Sequence, residues 1–80
     1  MIPARILDEL KMIAKYNLSD DWISVKKQLL LSLPWQLRTK FSTRDPKTKK
    51  QSINEFEYLL IEEYRNITGI ELRIKNDKNE

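Results

Sequence analysis

Acid–base chemistry needs two carboxyl groups that converge, and this chain of 80 residues offers two candidate pairs, Asp20/Asp21 and Glu62/Glu63. Both pairs are adjacent in sequence, and neighbours on a helix point about 100° apart, so neither pair can meet across one substrate. Asp20 and Asp21 are explained by the positive end of a helix that follows them, and Glu62/Glu63 by a solvated helix face. Histidine, the usual proton carrier near neutral pH, is absent, so no serine has an imidazole to activate it. A Ser–Lys dyad is left open, because spacing along one sequence does not reveal it. Cysteine is absent too, which removes thiolate nucleophiles, disulfides and zinc ribbons. Gly69 is the single glycine, so no glycine-rich loop can cradle a phosphate or a dinucleotide. Catalytic residues, metal ligands and cofactor-binding residues are therefore all expected to be lacking, and the chain reads as a binding or assembly module rather than an enzyme.

Two kinds of non-catalytic contact remain. The first is electrostatic. Arg38, Lys40, Arg44, Lys47, Lys49 and Lys50 face Asp45 alone within residues 38–50, a local charge of +5, while the rest of the chain sums to −2. Such a segment can touch phosphates in a salt-dependent way, as in weak, non-specific contact with RNA. Residues 42–51 contain no aromatic on which a base could stack, so a solvated loop that keeps a small domain soluble is the competing reading. The second contact is apolar. Trp22, Val25, Leu29 and Leu33 form one stripe, and Ile23, Leu30 and Leu31 widen it beyond one side of a helix. Two tryptophans in so short a chain suggest spare apolar surface, and tryptophan is enriched among interface anchors. At least one of Trp22 and Trp35 is therefore expected at an interface. Phe41, Phe56 and Tyr64 are assigned to the core.

The elements that must position these residues are helical. Ile6, Leu7, Leu10, Ile13 and Ala14 recur at helical spacing after Pro3, which predicts a first helix over about 4–16 ending at Asn17, a residue that tolerates a left-handed cap. Ser19 is the expected N-cap of a second helix, about 21–32, which Pro34 stops. Pro34 also opens a short third helix, about 34–42. Residues 42–51 are a loop around Pro46. Ser52-Ile53-Asn54-Glu55 reads as a capping box before a fourth helix, about 53–67, with Ile53, Phe56, Leu60, Tyr64 and Ile67 on its apolar stripe. Gly69 ends that helix. Ile70, Leu72 and Ile74 alternate with Glu71, Arg73 and Lys75, so this run pairs with another chain, packs as an extended tail, or continues as helix. The expected fold is an all-α bundle of four short helices, with residues 1–68 as the domain and 69–80 as an extended or frayed tail. No apolar run approaches the roughly 18 residues that span a membrane, and the N-terminal residues carry Arg5, Asp8 and Glu9, unlike a signal peptide. A cytoplasmic, intracellular protein is expected, with no membrane and no small-molecule substrate as partner. The sequon Asn66-Ile67-Thr68 is read as chance.

The order of these segments resembles a family. Asp8-Glu9-Leu10 lies in an amphipathic helix, Ser19-Asp20-Asp21 follows, and then Leu29-Leu30-Leu31-Ser32-Leu33-Pro34. After a short helix and a polar loop comes Ser52-Ile53-Asn54-Glu55-Phe56-Glu57-Tyr58-Leu59-Leu60-Ile61-Glu62-Glu63. Over residues 6–64 this is similar to the C-terminal part of the Gag capsid of LTR retrotransposons, notably of the copia type. The shared features are a helix ending in Leu-Leu-x-Ser-Leu-Pro and, at comparable distance, a helix of the form Ser-Ile-x-Glu…Leu-Leu-x-Glu-Glu. The zinc knuckle that binds RNA in many of those proteins has no counterpart here, since cysteine and histidine are missing. The resemblance therefore implies a capsid C-terminal domain, as a fragment or a domesticated relative. It implies a homodimer or higher assembly in a Gag-like shell, with the second helix of the domain, here either the helix over 21–32 or the short Trp35 helix, contributing to the contact; on that basis Trp22, Val25, Leu29, Trp35 and Leu37 are the interface candidates. The alternative is a small basic helical module, nucleic-acid-binding or adaptor, that reaches phosphates through residues 38–50.

Overall fold

The structure is a computed structural model that describes residues 2–17, 19–43, 47 and 53–74. It contains four helices: α1 (Ala4–Tyr16), α2 (Trp22–Ser32), α3 (Trp35–Arg38) and α4 (Glu55–Thr68). The all-α expectation is met, and α1 packs against both α2 and α4. Ile6, Leu10, Ile13 and Ala14 of α1 repeat every three to four residues, and all are buried. They meet Trp22, Val25 and Leu29 of α2 and Leu60 and Tyr64 of α4 in one core, which Leu33, Phe41 and Leu72 complete from outside those three helices. The Phe41 ring meets Phe56 edge-on, with centroids 5.5 Å apart.

Each helix end has a local cause, and several differ from expectation. Asn17 does cap α1, but with right-handed backbone (φ −108°), so the left-handed cap expected there is not used. The N-cap of α2 is Asp21 rather than Ser19: the Asp21 carboxylate accepts the Ile23 N–H at 3.3 Å, and the Ser19 hydroxyl accepts the Asp21 N–H at 3.2 Å. Asp21 is extended (φ −117°, ψ 120°), and its neighbours Asp20 and Trp22 are both bonded to the Arg73 backbone from the other end of the chain, which sets the helix start here. Pro34 ends α2 and opens α3 as expected, but α3 stops at Arg38 rather than near residue 42. Tighter three-residue bonds, Lys40 N–H to Leu37 O and Phe41 N–H to Arg38 O, curl the chain so that Phe41 enters the core. The capping box of α4 is Asn54 with Glu57, not Ser52 with Glu55; Ser52 lies outside the described residues. Gly69 closes α4 at φ +79°, the left-handed conformation that glycine adopts without penalty, and this end is as expected.

The run after Gly69 packs as an extended tail, bonded within its own chain to the residues that open α2. Arg73 donates its N–H to Asp20 O at 2.7 Å and accepts the Trp22 N–H at 3.0 Å, a single parallel bridge between residues 21 and 73. The Arg73 guanidinium grips the Asp20 carboxylate at 3.1 Å. Leu72 is left only 4% exposed, so the domain does not end at residue 68: the extended run closes the core over the start of α2. Residues 75–80 lie outside the described residues.

Candidate functional site

Among the described residues, the most densely bonded polar cluster lies where α2, α4 and the turn after α3 meet. Glu57 has no exposed surface. One of its oxygens receives the Lys26 ammonium at 3.0 Å and the Trp22 indole N–H at 3.2 Å. The other receives the Ser42 hydroxyl at 2.6 Å and the backbone N–H groups of Ser42 and Asn54, each at 3.1 Å. Lys26 also donates to the Ser42 carbonyl at 2.8 Å and lies 3.3 Å from its hydroxyl. Burial by itself would push the Glu57 carboxyl up. The Ser42 hydroxyl, the Lys26 ammonium and the backbone donors outweigh it, and the carboxyl is held below its ordinary value.

This cluster places a serine hydroxyl beside a lysine, the dyad that sequence alone left open. Its chemistry is consumed internally. The Lys26 amine is an ammonium paired with a carboxylate, so it has no lone pair with which to accept a proton. The Ser42 proton is directed at a carboxylate whose lowered pKa makes it a weak base. The cluster therefore works as a clamp: an ion pair excluded from water, with its remaining hydrogen-bonding capacity met by Trp22, Ser42 and Asn54. Among the described residues no group of three or more acidic side chains is placed to hold a metal ion, and no helix is long and apolar enough to cross a membrane.

The interface candidates separate into two groups. Trp22, Val25 and Leu29 have no exposed surface, and the expectation that they form an interface is corrected. Their stripe is filled from within by α1, α4 and Leu72, so none of it is left for a partner. Trp35 is different. It is 67% exposed on α3, and Leu31, one turn earlier on α2, is 75% exposed. The two flank the corner made by buried Leu33 and exposed Pro34, while Leu37 is half-buried and packs against the core from below. Leu31 was read as widening the α2 stripe but not as an interface residue; its position between the buried Leu29 and Leu33 was the signal, since a helix residue two steps from each must face away. Arg38 braces the corner, its Nε donating to the Leu33 carbonyl at 2.8 Å.

A second surface feature lies on α4. Tyr58, Ile61, Glu62 and Arg65, at helical spacing on one face, line an open groove of about 260 Å³ together with Glu71. Of the basic candidates, Arg38, Lys40 and Lys47 are exposed, and Arg38 is engaged in holding the corner. Arg44, Lys49 and Lys50 lie outside the described residues. Comparison with protein-family models, with curated proteins and with solved structures finds no match to this chain.

Proposed function

We propose that the chain is a non-enzymatic assembly domain that associates with a second copy of itself through the corner formed by Leu31, Pro34 and Trp35. The observation that carries this reading is the exposure of Leu31 and Trp35 on a corner whose backbone is fixed from inside. The core is complete without them, so their surface is available to a partner. A rigid tryptophan supplies large contact area at small entropic cost, and such residues dominate association energies. The resemblance to Gag capsid C-terminal domains points the same way, since its Leu-Leu-x-Ser-Leu-Pro segment, residues 29–34, forms this corner. By that resemblance the contact is a homodimer that joins neighbouring subunits of a shell.

Sedimentation velocity over a concentration series tests the reading. At high salt, which screens contacts between charged groups, the wild-type chain is expected to shift from monomer to dimer in the micromolar range, and Trp35→Ala or Leu31→Asp to remain monomeric with unchanged helicity. A wild-type chain that stays monomeric at the highest concentration defeats it.

A further inference from the structure

We propose that the groove on the outer face of α4 receives a lysine side chain from the basic segment of a second copy, residues 44–50, giving a second contact distinct from the Trp35 corner. The inference rests on the self-association reading. Its starting point is the size of the groove. About 260 Å³ is smaller than the roughly 300–1,000 Å³ of typical ligand pockets, and suits one long side chain better than a metabolite. Its lining has the chemistry of a lysine receptor. Tyr58 and Ile61 supply apolar surface against which a methylene stem can lie, and Glu62 and Glu71 supply carboxylates for the ammonium. Glu62, Arg65 and Glu71 form no ion pair among the described residues.

Charge complementarity selects the occupant. Lys47, Lys49 and Lys50 are the densest run of ammonium groups in the sequence, and the one basic residue of the lining, Arg65, matches the one acidic residue of that segment, Asp45. The assembly has a use for such a contact. A two-fold contact through Trp35 joins two copies and stops, whereas a groove on one copy that takes a segment of the next is heterologous and can continue. The two kinds of contact together can build an assembly larger than a dimer.

The test uses the full chain, isotopically labelled, titrated with a synthetic peptide of residues 43–51. Saturable resonance shifts at Tyr58, Ile61 and Glu71 are expected, weakened about tenfold in Glu62→Lys/Glu71→Lys and lost at high salt. Both substituted residues are exposed, and circular dichroism checks that the variant folds. In sedimentation, Glu62→Lys/Glu71→Lys is expected to stop at dimers. Mixing it with Lys49→Glu/Lys50→Glu should restore larger species. No shift at the groove, or equal binding of an oligolysine of the same length, overturns the inference. Dimers that persist while the peptide fails to bind would leave the Trp35 reading standing and remove the groove. Species larger than dimers that survive both the groove substitutions and high salt would likewise remove it. A wild-type chain that never associates removes both, even if the peptide binds.

Discussion

Trp22 and Trp35 differ in almost every physical respect although one short helix separates them. Trp22 has no exposed surface and donates its indole N–H to a buried carboxylate, while Trp35 keeps two thirds of its surface in water. The region around Trp22 is closed: α1, α4 and the extended run through Leu72 cover it, and the Lys26–Glu57–Ser42 clamp ties three parts of the chain together behind it. The region around Trp35 is open, a corner set by Pro34 and braced by Arg38. The contrast teaches that apolar content alone does not mark an interface. What marks it is an apolar residue left outside after the core has been filled.

The largest effect that can break this comparison is in the clamp. Glu57→Ala leaves the Lys26 ammonium buried without its partner and deprives Trp22, Ser42 and Asn54 of an acceptor, and a loss of about 3–5 kcal/mol in denaturant unfolding is expected. For a domain of this size that approaches the whole stability. If the variant unfolds at the same denaturant concentration as wild type, the clamp is not structural. The same carboxyl sets the acid limb. Its folded pKa is below the unfolded one, so its stabilisation is complete above the ordinary carboxylate pKa and is lost as pH falls through the lower folded value. Unfolding followed from neutral to acid pH should show this loss, and Glu57→Gln should flatten it.

Smaller effects sharpen the contrast. Gly69→Ala meets no neighbouring atom, so its cost comes only from forcing an L-residue into the left-handed region, about 1–2 kcal/mol by thermal or chemical unfolding. Tyr64→Phe removes a hydroxyl that is buried beside the Ser19 backbone without a partner at hydrogen-bonding geometry among the described residues. Burial raises the pKa of this phenol, and the nearby Asp20 charge adds to that against the Ser19 backbone. The substitution is expected to be neutral or stabilising by up to about 1 kcal/mol. The smallest effect on stability is at the open corner: Trp35→Ala should change unfolding by no more than about 0.5 kcal/mol while altering sedimentation. A large destabilisation there would show that the corner is part of the core.

How much of this was legible follows from where each signal is stored. Pro34 and Gly69 act through their own backbone, so the break after α2 and the end of α4 could be read directly. The helical stripes of α1 and α4 were legible for the same reason, since spacing is a local property. Their content held a further signal that was passed over: Lys26 falls on the stripe of Trp22, Val25 and Leu29, and Glu57 on the stripe of Leu60 and Tyr64. A lysine and a glutamate on facing apolar stripes suggest a buried pair, but only if the two helices are known to meet. The capping box was misplaced by two residues because both Ser52 and Asn54 are good caps, and Asn54 also donates to the Lys40 carbonyl at 3.0 Å, a tertiary bond absent from the local pattern.

The helical class, the helix breaks, and the lack of histidine, cysteine and glycine-rich chemistry follow from residue type and near neighbours alone. Packing is what puts Trp22 inside and Trp35 outside, brings Leu72 into the core, spends Ser42 and Lys26 on Glu57, and leaves a groove on α4. Each of these depends on residues distant in sequence competing for the same buried volume or the same hydrogen bond. That competition is settled only when the helices pack.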